Sequence, residues 1–298
     1  MANRGLPVKV DETWNMGVPY AKVGGDWKAI NFAYVNVNGT WKQSWANFNK
    51  ATGGSVKDVA NYNGTGQTWR VHTFTGSGTF NVETAAKPFR VLVVGGGGGT
   101  IKANDQAQGG GGAGGMIDLN SHAIGVGAHS VTVGGMAVQS DGRNSAAFGL
   151  TAMGGGCGGK GNGAVWGDRG GSGGGGGPKG GAGTAGQGHA GGSDSTVYTG
   201  AGGGGAGEAG HAGGGSGGPG GSGGIGKRST ITGSSVYYAG GGQGWGKPGG
   251  TNRGNNGGGG SRARAGVNGL GGGAGAYGND QTTPPGGSGV VIVAYQIG

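Results

Sequence analysis

Residues 213–226 read GGGSGGPGGSGGIG, with Ser216, Pro219, Ser222 and Ile225 each set off by two glycines. Glycine loses more conformational freedom on folding than any other residue. A folded chain that gives it two positions in three must gain something that side chains would prevent. A helix with three residues per turn supplies such a gain. Polyproline II geometry is left-handed, rises ~3.1 Å per residue and makes no hydrogen bonds within itself. Every third residue lines one edge, and here glycine takes the other two. Glycine edges let parallel rods approach until the N–H of one meets the C=O of the next. The balance is close: an ordered glycine costs roughly 0.5–1 kcal/mol more than alanine, and each hydrogen bond between rods contributes a net ~0.5–1.5 kcal/mol. Such a bundle stands only if nearly every buried amide is paired.

The register recurs. GGSGGGGGP at 170–178 places Ser172, Gly175 and Pro178 on one edge, and GGGCGGKGNG at 154–163 does so with Gly154, Cys157, Lys160 and Gly163. Pro178 and Pro219 suit the geometry because the ring holds φ near the required value. Segments poorer in glycine, such as GGAGTAGQGHAGG from Gly180, suit an outer row. Non-glycine patches interrupt the runs. Rods that go out and come back would put alternate patches at opposite ends, half against a β base and half at a tip.

Two apolar runs, Val91–Val94 and Val290–Val293, bracket the glycine region. If they pair in one sheet, everything between them is an insert with its ends held together. FRVLVVG (89–95) is a continuous apolar run suited to a strand buried on both faces. TWRVHTFTGSGTFNVET (68–84) alternates on both sides of Gly76-Ser77-Gly78 and predicts a hairpin with Phe74 near Phe80. Before it, YAKVGGDWKAI from Tyr20 and YVNVNGTWKQS from Tyr34 repeat at a spacing of 14, each reading as two short strands about a turn. Asn38-Gly39 is a strong hairpin signal. So small a repeat must pack on copies of itself or on a neighbour, which points to assembly. No segment carries a helical period with caps.

Composition agrees with part of this and excludes other classes. Of 298 residues 91 are glycine, a share that first suggests collagen or a low-complexity chain. Only 8 prolines and a drifting glycine phase argue against collagen. Lys and Arg number 21 against 12 Asp and Glu, a formal +9, which favours anionic partners or serves solubility. The single cysteine, Cys157, excludes an internal disulfide. No N-terminal run resembles a signal peptide, and no stretch approaches the ~20 apolar residues of a membrane span.

Catalytic motifs are not found. A phosphate-binding loop needs Gly-Lys followed at once by Ser or Thr, but GIGKRS (224–229) has Arg228 there and GWGKPG (244–249) has Pro248. The histidines His72, His122, His129, His189 and His211 lack further ligands at metal spacing. His189 and His211 share GHAGG and are expected in equivalent places on neighbouring rods. Glu83, Glu208, Asp168 and Asp194 form no recognisable acid–base pair, and Cys157 is expected to pack rather than react. No enzyme activity, cofactor or metal is expected. Aromatics carry more weight, because their faces stack on sugars or pack at interfaces. Two groups stand out as candidate receptor-binding residues: Trp166 with Asp168 and Arg169, and Trp245 with Asn252, Arg253, Asn255 and Asn256. The plain alternative for any of them is to cap the bundle or cover the base.

At VLVVGGGGG (91–99), YYAGGGQG (237–244) and GGSGVVIVAY (286–295), the chain resembles the glycine-rich domain of tailed-bacteriophage tail fibre and minor tail proteins. The resemblance covers roughly residues 67–298, and the VNGTWK unit is similar to short repeats in such proteins. It implies a virion component at the distal tail, with loops at the tip of bundled polyglycine II helices choosing the bacterial surface receptor, glycan or protein. It also makes a homotrimer the default assembly.

The expectation is therefore an all-β fold plus polyglycine II: a small β-sheet base with an inserted bundle of packed polyglycine II helices and almost no α-helix. Residues 1–66 would be a β-repeat module joining other tail proteins. Residues 67–135 would form the base with a first glycine-rich excursion, 136–289 the bundle with its loops, and 290–298 the return strand. The function expected is a non-enzymatic adhesin, with a purely structural tail component as the alternative. Nucleic acid is not an expected partner.

Overall fold

The computed structural model describes residues 6–10, 13–17, 20–23, 25–30, 32–37, 39–46, 48–102, 108–160, 166–176, 179–194, 198–247, 252–278 and 283–297. The readings placed on Asn38, Gly163, Pro178 and Pro248 lie outside these residues.

Among the described residues the fold is all-β, with two three-residue 3-10 turns, Tyr62–Gly64 and Arg253–Asn255, as its helical content. The first six strands make three two-stranded hairpins: β1 (Leu6–Val10) with β2 (Thr13–Gly17), β3 (Tyr20–Val23) with β4 (Asp26–Ala29), and β5 (Phe32–Val37) with β6 (Thr40–Ala46). The second and third are the sequence repeat. Val23 faces Asp26 and Val37 faces Thr40, leaving two-residue turns that carry Gly25 at φ 95° and Gly39 at φ 80°. Turns of that length need positive φ, which glycine supplies without strain.

Next follow β7 (Lys50–Thr52), β8 (Ser55–Val59), β9 (Trp69–Phe74), β10 (Gly78–Thr84), β11 (Phe89–Val94), β12 (Met116–His122), β13 (Gly127–Thr132), β14 (Ser145–Ala147) and β15 (Leu150–Ala152). A hairpin of β16 (Lys227–Ser229) and β17 (Val236–Tyr238) and the closing strand β18 (Val290–Gln296) complete the set. Two five-stranded antiparallel sheets result, in the orders β15-β14-β13-β10-β7 and β12-β11-β18-β9-β8. Strands β7 and β8 thus belong to these sheets although they lie within residues 1–66. The hairpin region ends before Lys50.

The sheets pack face to face. Phe80 and Val82 of one meet Phe74, Val91, Val93, Val291 and Tyr295 of the other in a continuous core. Phe74 and Phe80 stand 6.3 Å apart, edge to face, as the sequence suggests, but not in a hairpin. Both edges of β9 are taken, by β18 and β8, so the chain crosses at 75–77 from one sheet to the other. The alternation that reads as a hairpin instead points both phenylalanines into the space between the sheets. The bracketing runs do pair: Val91 faces Val293, Leu92 Ile292, Val93 Val291 and Val94 Val290. Residues 91–94 are all fully buried. The reason is a second core on the opposite face, where Leu92, Val94, Val290 and Ile292 pack with Tyr62, Met116, Ile231 and Tyr238.

From that second face the glycine-rich segments extend. Their hydrogen bonds repeat every three residues. In segment 108–115, the N–H groups of Gly109, Gly112 and Gly115 reach the carbonyls of Gly159, Gly156 and Met153 at 2.7–2.8 Å. Gly110 and Ala113 donate to Ala201 and Gly204, and Gly111 and Gly114 to Ala274 and Gly271. Three further segments donate back: Gly98 to Gly112, Gly175 to Gly110, and Gly242 to Gly111. Segment 108–115 is therefore enclosed by six neighbours, with its main chain paired on every side and each of its residues buried. Segment 200–206 is enclosed in the same way by 108–115, 170–176, 188–192, 208–211, 221–224 and 239–245. A methyl group on Gly111 would overlap the Gly98 oxygen, and one on Gly203 the Gly111 oxygen. The absence of side chains is what permits these distances.

Residues 213–226 divide into two parts. Gly215 (φ 78°) and Gly217 (φ 74°) reverse the chain, with Gly214 N–H on the Pro219 oxygen and Gly218 N–H on the Gly215 oxygen. Ser216 therefore sits in a turn and not on a common edge with Pro219 and Ser222. Beyond the turn the register holds. Pro219, Ser222 and Ile225 face outward while Gly220, Gly221, Gly223, Gly224 and Gly226 are buried.

Candidate functional site

Segment 108–115 runs straight into β12, so its Gln108 end lies away from the sheets. Several non-glycine residues gather around that far end. Trp245 donates its main-chain N–H to the Gln108 oxygen, Gly200 donates to Trp245, and Tyr277 N–H reaches Gln108 Oε1. Lys160 bridges to Gln108, and Lys247 N–H bonds Gly218 in the 215–218 reversal. Trp166 comes to this end through Gly167, which donates to Lys179. The Lys179 ammonium stands 5.5 Å from the Trp166 ring centroid. Trp166 is 60% exposed and Tyr198 59%.

The two candidate groups fare differently. Trp166, Asp168 and Arg169 are all exposed. Asp168 turns to another edge of the same rod: its N–H bonds the Cys157 oxygen, and its carboxyl lies against Asp141. Burial and then the Asp141 charge raise the Asp168 pKa. Asp141 Oδ1 in turn accepts the Cys157 N–H at 2.7 Å. Burial, with both carboxylates nearby, pushes the Cys157 thiol up to about 12, so it stays protonated and unreactive at neutral pH.

The second group is split along the bundle. Trp245 is at the Gln108 end, whereas Asn256 accepts from Gly226, the residue before β16, and Gly240, just after β17, donates to Gly257. Asn252 is 6% exposed and fully engaged inside. Its Oδ1 accepts from Gly223 at 2.8 Å and its amide donates to Gly260 O at 2.9 Å. It plugs the gap between segments, which removes it from any exposed contact set. Asn255 Oδ1 accepts from Ser261 at 3.0 Å, and Arg253 lies 3.3 Å from Glu208, which also faces His211 at 3.2 Å. These residues brace the bundle where its rods turn. The Trp245 indole N–H is buried with no acceptor among the described residues.

His189 and His211 lie on adjacent outward-running segments, joined by Gly210 N–H on the Ala190 oxygen, but offset by about two residues. Among the described residues no three His, Cys, Asp or Glu side chains group as metal ligands, and no helix is long and apolar enough to cross a membrane. Tyr198 and the lysines of the far end are missing from the candidate set drawn from sequence. Their shared signal is position, since Lys160 and Lys179 each follow a glycine run where a rod must end.

A family model described as a glycine-rich domain matches residues 72–296 of the chain. No curated protein matches it.

Proposed function

The chain belongs to this glycine-rich domain family, and from that premise we propose that it is a non-enzymatic bacteriophage tail fibre or minor tail protein that recognises its host through the far end of the bundle. On this reading the rods are polyglycine II helices, in which a three-residue turn sends every third N–H to the same neighbour. The N-terminal hairpins attach it to other tail proteins at the distal tail of the virion, and a homotrimer is the assembly to test first. One observation carries the adhesin reading. The end of the bundle remote from both sheets exposes Trp166 and Tyr198 at 60% and 59%, while at the other end Tyr238 is spent on the sheet and Tyr237 is 41% exposed. Large exposed aromatics on a rigid support are what surface recognition uses. The test is adsorption of labelled protein to a panel of bacterial cells. Trp166→Ala with Tyr198→Ala should abolish it without changing the unfolding midpoint; undiminished adsorption overturns the reading.

A purely structural tail component is the second reading. Met136 and Val138 are each 56% exposed and Val267 51%, on segments that flank 284–289. That apolar side suits contact with another tail chain. Crosslinking that captures these residues in assembled particles, with Trp166 also covered, would favour it.

A further inference from the structure

We infer that the far end of the bundle takes an anionic polysaccharide, sugar rings stacking on Trp166 and Tyr198 and acidic substituents meeting a ring of lysines and one arginine; this rests on the host-recognition reading. Thr100 bridges in parallel to Gly158, two residues short of Lys160, which brings Lys102 to the same end. Arg262 N–H bonds Gln243 Oε1, beside the Ala276–Tyr277 end of its neighbour. Lys102, Lys160, Lys179, Lys247 and Arg262 thus come together from five separate stretches of chain. The ion pairs formed among the described residues involve Glu83, Asp58 and Glu208, none of them at this end. Asp194, the acidic residue closest in sequence to Tyr198, is buried and bonded to Thr199, whereas Asp168, two residues after Trp166, is exposed with its carboxyl against exposed Asp141, so five basic residues outnumber this one acidic pair.

Chemistry selects the ligand class. The Lys179 ammonium stands over the Trp166 ring, and the residue remains 60% exposed. An aromatic face beside ammonium groups fits a sugar carrying carboxylate, sulfate or phosphate. The positive ends are spaced around a rod bundle and not along a groove, which suits a branched or short-repeat glycan more than a duplex with its dense charge.

The full chain is passed over immobilised polygalacturonate, dextran sulfate, neutral dextran and duplex DNA. Retention on the two acidic glycans, weakened by salt, and none on neutral dextran is expected. Changing Lys102, Lys160, Lys179, Lys247 and Arg262 together to Gln should weaken acidic-glycan binding roughly tenfold or more, because several exposed charge pairs are lost at once. The same neutralisation at Lys57, Lys87, Arg143, Lys227 and Arg228, all exposed and outside the far end, should leave it within about twofold. Trp166→Ala should lower it with the charges intact. Equal loss in both charge variants, equal retention on neutral dextran, tighter retention on duplex DNA, or no retention on either acidic glycan overturns the inference. If that happens while cell adsorption still depends on Trp166 and Tyr198, host recognition stands and only the ligand class is wrong.

Discussion

At Gly111 and Gly203 a single added methyl group meets a main-chain oxygen that has nowhere to move, because its own segment is hydrogen-bonded on every side. Gly111→Ala or Gly203→Ala should cost about 1–3 kcal/mol or more, the range for overpacking, seen as a lower midpoint in denaturant unfolding. Gly125 and Gly76, with open space around them, should accept alanine almost silently. Asn252 is the polar counterpart. Asn252→Ala strands the Gly223 N–H in the bundle, which costs about 1–3 kcal/mol, whereas the Gly260 oxygen keeps the Gln243 N–H. His72 gives the pH dependence its sign. Burial lowers its pKa, with Nδ1 against the Gly53 oxygen at 2.7 Å. The unfolded chain therefore binds a proton more readily, so this residue's contribution is intact above the ordinary histidine pKa of about 6.5 and is lost as pH falls through it. The unfolding free energy should drop between pH 7 and 5, and His72→Gln should flatten that slope.

At the scale of elements, β18 governs the glycine region although it follows it in sequence. It lies between β11 and β9 at the centre of one sheet and contributes to both cores. Removing residues 290–298 should therefore unfold the whole of 72–289, not merely shorten it, with loss of the cooperative transition in a thermal melt. Leu92→Ala, on the face toward the rods, should cost about 2–5 kcal/mol. The pairing of the two apolar runs is readable in sequence because VLVV and VVIV are too apolar for anything but a strand covered on both faces. The crossing between β9 and β10 is not readable. A hairpin and a crossover between sheets present the same alternation, and only the strands that occupy the edges of β9 decide between them.

For the molecule as a whole, the bundle buries amides where an ordinary domain buries hydrocarbon. Exposing polar surface lowers the heat capacity of unfolding and exposing apolar surface raises it. The calorimetric value should fall clearly below the usual ~12–15 cal/mol/K per residue; a value inside that range would mean that the rods contribute little buried main chain to the folded state. The candidate site shows the same limit of sequence reading at larger scale. Trp245 and Asn256 are 11 positions apart and look like one loop. They reach opposite ends because the chain between them travels back down the bundle. Trp166 and Tyr198, 32 positions apart, share an end because an even number of passes separates them.

The chain's local chemistry determined by itself that the glycine-rich segments leave main chain bare for lateral pairing, that the bracketing strands must be buried, and that the N-terminal repeats turn over Gly25 and Gly39. Those follow from which groups a residue lacks or must hide, a property of short stretches. Tertiary structure alone decided which rods are neighbours, where each reverses, and which side chains gather at an end. With glycine on most edges the rods are nearly interchangeable, so their order is set by the sum of main-chain pairings across the whole bundle and not by any residue that could be read in isolation.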